Sequence, residues 1–236
     1  MASTVARSFL VIPVKPPAGS KQRLAVSLAD QERELVSRSL AIRAVGAAVA
    51  AWPQGRLVVV SADPILAEFC HRFQVATVSD PGSGQSAAVR SGAEWCLERG
   101  ANVLATVAAD LPSVTASDLA LVLRLSKSMP VGAMVLFPDL AGSGTNGLVV
   151  RPANLQVHSF GPDSRRRHQL RAAALGIQFR SVEVPGLAWD VDRPEDLHRP
   201  TDLMATPHPV VSWAHDRAAV AGIRTDAIGS ACADGV

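Results

Sequence analysis

Several things are scarce in this chain of 236 residues. There are three cysteines, Cys70, Cys96 and Cys232, too few and too scattered for a disulfide framework or a zinc site. No uninterrupted apolar run approaches the roughly 18 residues that a membrane span needs. The excess of positive charge is only +2, from 23 Lys and Arg against 21 Asp and Glu, and nucleic-acid binding calls for a larger or more clustered surplus. The phosphate-binding pattern G-x-x-x-x-G-K-[ST] is absent, and no internal repeat is visible. The short N-terminal apolar stretch ends in Pro13 and Lys15 rather than at small residues, which reads as a strand and not a signal peptide. A soluble cytoplasmic protein is expected. Lysine itself is rare: only Lys15, Lys21 and Lys127 occur, the first two close together near the N-terminus.

Hydrophobic residues make up 48% and charged residues 19%, a composition that excludes a disordered chain. Apolar runs alternate with helical patterns. Strands are expected over 9–14, 57–60, 75–78, 103–109, 133–137, 147–150 and 179–184. Helices are expected over 30–51 with Asp30 as N-cap, 64–73, 85–99, from a cap at Thr115 or Ser117 to about 127, and 164–175 with Ser164 as N-cap. Strands that are apolar throughout and alternate with helices predict a three-layer α/β fold, a mostly parallel sheet with helices on both faces. The domain is expected over 1–200, with 201–236 as an appendage, partly disordered or docked on a partner.

In such sheets ligands gather at the carboxyl ends of strands, so the loops there carry the chemistry. The loop after the first strand holds Lys15, Lys21 and Arg23 around a flexible Ala18-Gly19-Ser20 centre. Its cations and backbone N–H groups suit a polyphosphate, and a solvated connection is an equal reading. Asp110 ends a fully apolar strand ahead of Leu111-Pro112, where a carboxylate is either a ligand for a hard cation or a helix cap. In Asp190-Val191-Asp192 an extended backbone puts both carboxylates on one face, where they repel unless a cation lies between them. Asp192 alone could instead cap a helix at Pro194. Thr145 and Asn146, in the turn 142–147, offer a hydroxyl and an amide to a carboxylate or phosphate, although a plain Gly-rich hairpin accounts for the turn. Gly161 and Ser164 lead into a helix whose first turns carry Arg165, Arg166 and Arg167, an anion-favouring end or an ordinary solvated face.

Ile12-Pro13-Val14-Lys15 with Lys21-Gln22-Arg23-Leu24-Ala25, Asp110-Leu111-Pro112, Gly144-Thr145-Asn146, Phe160-Gly161-Pro162-Asp163-Ser164 with His168, and Asp190-Val191-Asp192 with Pro194-Glu195-Asp196-Leu197 occur in this order. Together they resemble the 2-phospho-L-lactate guanylyltransferase family, of the wider molybdenum-cofactor guanylyltransferase type, over residues 8 to about 199. The resemblance implies a nucleotide-diphospho-sugar transferase-like fold. It also implies transfer of GMP from GTP to the phosphate of a three-carbon phospho-acid, with release of pyrophosphate, in biosynthesis of the deazaflavin coenzyme F-420. The acceptors it implies are 2-phospho-L-lactate, phosphoenolpyruvate or 3-phospho-D-glycerate. It implies Mg²⁺ on Asp110, Asp190 and Asp192, triphosphate binding by the first loop, and acceptor binding by Thr145, Gly161 and Ser164. Within that loop Lys15, Lys21 and Arg23 are expected to hold the β- and γ-phosphates, with Lys21 catalytic. Asn146 and Arg165 are expected to assist the acceptor.

The chain departs from the family in two places: Ala109 stands where relatives have Gly, and Gln85-Ser86 where they have Leu-Asn. Three rivals remain open: a glycosyltransferase using its Asp-x-Asp on a nucleotide sugar, a non-catalytic nucleotide-binding module, and a sister nucleotidyltransferase, although the Gly-Gly opening loop of the last is missing. An oligomer and a handover of product to the next enzyme of the pathway also stay open.

Overall fold

The apolar runs form the strands β1 (Ser8–Pro13), β2 (Leu57–Val60), β3 (Ala76–Val78), β4 (Val103–Val107), β5 (Ala133–Phe137), β6 (Gly147–Arg151) and β7 (Gln178–Ser181) of one sheet. The helices between and after them are α1 (Asp30–Ala51), α2 (Pro64–Arg72), α3 (Gln85–Glu98), α4 (Ala116–Ser128), α5 (Ser164–Ala174) and α6 (Pro185–Ala188). This is a computed structural model, and it describes residues 5–17 and 20–198. The appendage expected over 201–236 lies outside the described residues. No described helix is long and apolar enough to cross a membrane.

The strand order is β3-β2-β1-β4-β6-β5-β7. All neighbours run parallel except β6, which is antiparallel to both β4 and β5. The turn between Phe137 and Gly147 folds β6 back onto β5 as a hairpin, with those two residues paired. Because the inner strands β1, β2, β4, β5 and β6 are buried on both faces, their alternate side chains feed two cores. Leu10, Ile12, Val59 and Val107 pack with Ile42, Val45, Phe69 and Leu119 from α1, α2 and α4. Phe9, Val11, Val60 and Leu148 pack with Ala88, Ala93 and Ala172 from α3 and α5. Three layers result.

α3 lies close against the sheet at Gly92. A Cβ built there would meet Val11 Cγ1 at 2.6 Å and Val60 Cγ2 at 2.8 Å. Gly92→Ala is therefore expected to destabilise the chain by about 1–3 kcal/mol through overpacking, read as a fall in melting temperature of about 2–4 °C per kcal/mol. An unchanged melting temperature would show that α3 can back away from the sheet.

Two helix starts differ from the expectation. Ala29, not Asp30, is the N-cap of α1. The Glu32 carboxylate accepts from the Ala29 N–H at 2.7 Å, while Asp30 pairs with the buried Arg33 at 2.7 Å. Ser164 is the first residue of α5 and Asp163 its N-cap, at φ 51°. The Ser164 hydroxyl is turned instead to Thr145. For α4, Thr115 is the cap, accepting from the Asp118 N–H while Asp118 accepts from that of Thr115.

Candidate active site

From β1 the chain winds outward through β2 and β3, whereas β4 lies on the other side of β1. The switch in direction falls between β1 and β4, and the loops at their carboxyl ends flank the crevice where open sheets bind ligands. Because β6 is antiparallel to β4, residues just before Gly147 also reach that end. The Asn146 carbonyl accepts from the Ala108 N–H at 2.8 Å, which ties the turn to the end of β4.

A small third core brings the first loop to the end of the described chain. Leu24, Leu40 and Val191 are buried together, with Leu28, Val36, Trp189 and Leu197 against them. Val191 points inward between Asp190 and Asp192, so the two carboxylates face the other way. The Val191 N–H donates to the Asp110 carbonyl at 3.1 Å, setting the 190–192 segment against the loop after β4. One oxygen from each of Asp110, Asp190 and Asp192 then lies within 4.8 Å of the others.

Lys21 fills this cluster. Its ammonium donates to Asp110 Oδ2 at 2.6 Å and to the Val191 carbonyl, and lies 3.5 Å from Asp192 Oδ1. Its side chain is only 7% exposed. Burial alone would lower its pKa, but the charge and hydrogen bond of Asp110, with the charges of Asp192 and Asp190, raise it. Lys21 sits at φ 52°, ψ 39°. This left-handed conformation is uncommon for a side chain other than Gly or Asn, and such strain collects at functional sites. Arg23 Nη1 lies 3.4 Å from Asp192 Oδ2 at the exposed rim. Lys15 is exposed in the same loop.

The alternative structural roles of the carboxylates are filled by other residues. Asp110 does not cap α4. Asp196 Oδ2 accepts from the N–H groups of Asp192 and Arg193, so the turn at 194–198 is capped without the Asp192 side chain. Asp190 has Asn146 Nδ2 at 3.2 Å. Burial, then the charge of Asp110, push the Asp190 carboxyl up to about 6, against the Asn146 hydrogen bond. Three carboxylates share one buried ammonium and one rim guanidinium. Hard oxygen donors converging from two segments, with a cation already among them, fit a divalent ion such as Mg²⁺.

Thr145 and Ser164 meet beside the first cluster, and Gly161 lies three residues before Ser164 in the chain. Ser164 Oγ lies 3.0 Å from Thr145 Oγ1, which in turn lies 3.1 Å from His168 Nδ1. The other ring nitrogen of His168 accepts from the Ser159 N–H at 3.0 Å. Ser86 Oγ, at one of the departing positions, accepts from the Phe160 N–H at 2.9 Å. Gly161 is at φ +112°, and a Cβ there would meet Arg167 Nη2 at 2.8 Å. Arg165 donates from its guanidinium to the Gly142 carbonyl at 3.0 Å and from its backbone to the Ser143 carbonyl at 3.1 Å, so it pins the β5–β6 turn to α5. The Asn146 amide nitrogen donates to the Leu187 carbonyl (2.9 Å), the Ala188 carbonyl (3.2 Å) and Asp190. Its hydrogens are engaged within the protein, and it holds Asp190 rather than standing open to an acceptor.

The structure thus joins Asp110, Asp190, Asp192, Lys21 and Arg23 in one cluster and Thr145 and Ser164 in another, with Asn146 linking them. Sequence reasoning gave Val191, Leu24 and His168 no role. An apolar residue between two aspartates was the available signal for Val191, while nothing local marks a buried histidine as a strut.

The fold is that of the nucleotide-diphospho-sugar transferases. A solved structure provisionally described as one of these, from Desulfovibrio desulfuricans G20, matches with a TM-score of 0.64 at 13% identity, covering 91% of this chain and 96% of that one. The profile of the family described as guanylyl transferase CofC like matches residues 8–203, and the chain belongs to that family. A phosphoenolpyruvate guanylyltransferase from Sphaerobacter thermophilus is 37% identical over 190 residues, 80% of this chain and 90% of its own length. A 3-phospho-D-glycerate guanylyltransferase from Colwellia psychrerythraea is 29% identical over 193 residues, 81% of this chain and 90% of its own. The chain is an enzyme of the nucleotidyltransferase class.

Proposed function

We propose that this chain transfers GMP from GTP to the phosphate of a three-carbon phospho-acid and releases pyrophosphate, a step in the making of coenzyme F-420 in the cytoplasm. Phosphoenolpyruvate is the first candidate acceptor, because the relative at 37% identity bears that name. 3-phospho-D-glycerate and 2-phospho-L-lactate follow. The observation that carries the reading is the cluster of Asp110, Asp190 and Asp192 around the Lys21 ammonium at the β1–β4 switch.

The acceptor's phosphate oxygen attacks the α-phosphorus of GTP, a new P–O–P bond forms, and the α–β bond breaks to release pyrophosphate. A phosphate monoester loses its second proton near pH 6, so at neutral pH the nucleophile is already a dianion and needs no general base. The difficulty is bringing two anions together. Mg²⁺ would be held by Asp110, Asp190 and Asp192 and, when bound, supplies charge neutralisation and polarisation at the phosphates. Lys21 keeps the carboxylates in register before substrate arrives and is placed to share phosphate charge. Lys15 and Arg23, at the open side of the same loop, take the β- and γ-phosphates and stabilise the departing pyrophosphate. Thr145, Gly161 and Ser164, at the amino end of α5, seat the acceptor's anionic groups. Asn146 keeps Asp190 at the boundary between the two sites, and Arg165 holds the turn that carries Thr145.

The test is pyrophosphate release from each of GTP, ATP and CTP with Mg²⁺ and each of the three acids. The reading expects release only with GTP and at least one acid. Release of a nucleoside diphosphate from a nucleotide sugar would replace it with a glycosyltransferase. GTP binding with no turnover and no dependence on Mg²⁺ would reduce it to a binding module.

A further inference from the structure

His168 is fully buried, in the first turns of α5, and belongs to neither the carboxylate cluster nor the triphosphate loop. Both ring nitrogens are nevertheless committed. A backbone N–H can only donate, so the contact from Ser159 makes Nε2 the acceptor. In the neutral ring the single hydrogen is then on Nδ1. Burial pushes this histidine down to about 4, against the Ser164 backbone carbonyl, so the neutral ring is the form at neutral pH. Phe160 packs edge-on to it at 4.9 Å between centroids, which fixes the ring plane.

The hydrogen count downstream follows. Nδ1–H donates to Thr145 Oγ1. Between Thr145 and Ser164 there are two hydroxyl hydrogens and one hydrogen bond. One O–H is left over whichever way that bond runs, and no other partner for either hydroxyl exists among the described residues. Thr145 is 7% exposed and Ser164 3% exposed, so the spare donor is also largely withdrawn from bulk water. A buried donor without a partner costs free energy that a ligand oxygen recovers on binding.

We propose that His168 is the positioning residue of the acceptor pocket. By occupying a lone pair of Thr145 and holding the Ser159 backbone, it makes the Thr145–Ser164 pair present one O–H to an anionic oxygen of the phospho-acid. The proposal rests on the reading that Thr145, Gly161 and Ser164 seat that acid. It adds a reason for their coupling, because one ring ties the β5–β6 turn to the loop that leads to Gly161. It also adds a selectivity: the spare group is a donor, so it favours carboxylate or phosphate oxygens at that position.

The test uses the full chain with Mg²⁺ and GTP. His168→Phe keeps the ring volume and removes both nitrogens. It is expected to raise KM for the acceptor acid about tenfold or more, while KM for GTP stays within about twofold of wild type. His168→Asn, whose amide nitrogen stands near the Nδ1 position, is expected to recover most of the loss. Parallel changes in both KM values, or an unmoved acceptor KM in a folded His168→Phe, would overturn the proposal. Ring ¹⁵N resonances of the labelled wild-type chain supply a readout that needs neither turnover nor a folded variant. His168 should be neutral with its hydrogen on Nδ1 at pH 7. Its signals should move when 3-phospho-D-glycerate or phosphoenolpyruvate is added. If wild type releases no pyrophosphate with any acid, the proposed function fails, and the resonances alone decide: movement on adding acid retains His168 as a positioning residue, and stillness or the opposite tautomer removes it.

Discussion

Asp190→Asn is expected to cost about a thousandfold or more in guanylyl transfer, the several kcal/mol that a metal-held charge contributes to the transition state. The same substitution is expected to raise the melting temperature of the metal-free chain. Both effects come from one arrangement. Asp110, Asp190 and Asp192 present oxygens within 4.8 Å of one another, and among the described residues Lys21 is the buried cation paired with Asp110 and Asp192. With its carboxyl at about 6, raised first by burial and then by Asp110, ionised Asp190 is a net burden on the folded state at pH 7. Its folded pKa lies above its unfolded value, so the folded chain binds more protons between those values and stability falls as pH rises through that window. The side chain is partly open to solvent, so the relief is discounted to about 1–2 kcal/mol, or roughly 3–6 °C. Asn is the informative replacement because its oxygen can still accept from Asn146 Nδ2. Melting curves in a chelator and a pyrophosphate assay in Mg²⁺ make the measurement. Transfer within tenfold of wild type would remove Asp190 from the metal site, and a lower melting temperature would show that the carboxylates are not in conflict.

Acid should weaken the wild-type chain through two histidines elsewhere. His158 is 6% exposed, and its two ring nitrogens have no hydrogen-bond partner among the described residues. Burial, then the charges of His168 and Arg90, push it down to about 3, and burial pushes His168 down to about 4. For a depressed histidine, stability is complete above the unfolded pKa and is lost as pH falls through it, because only the unfolded chain takes up the proton. Between pH 7.5 and 5 each of the two is expected to cost about 2 kcal/mol, with Asp190 returning about 1 kcal/mol in the opposite sense. His158→Phe keeps the apolar stacking on Phe160, whose ring lies parallel at 6.2 Å. It should remove about 2 kcal/mol of the acid sensitivity. Urea unfolding of both chains in chelator at the two pH values tests this. An equal loss of stability in the two chains would show that His158 is protonated in the folded state.

Some of the site was legible because it depends on local spacing. An Asp directly after an apolar strand, and an Asp-x-Asp in extended backbone, are patterns of period two and of chain position. The inward turn of Val191 follows from the same alternation. The partners of the Asn146 amide nitrogen, the carbonyls of Leu187 and Ala188, are more than forty residues away and leave no mark in the local turn pattern. Asp30 and Ser164 carry good capping side chains, but Arg33 and Thr145 outcompeted the helix ends for them. One guanidinium nitrogen of Arg165 holds the Gly142 carbonyl, a partner more than twenty residues away that helix position alone does not reveal.

By itself the chain's order of residues settled the seven strands, the long helices between them and the three-layer class. Those follow from apolar runs, helical spacing and turn residues, all of which act within a few positions. The placement of β6 between β4 and β5, the meeting of Lys21 with three carboxylates and the hydroxyl pair held by His168 belong to the tertiary structure alone. Each is a contact between segments far apart in the chain, and its partner is chosen by how the sheet and the small Leu24–Val191 core pack, which no local pattern encodes.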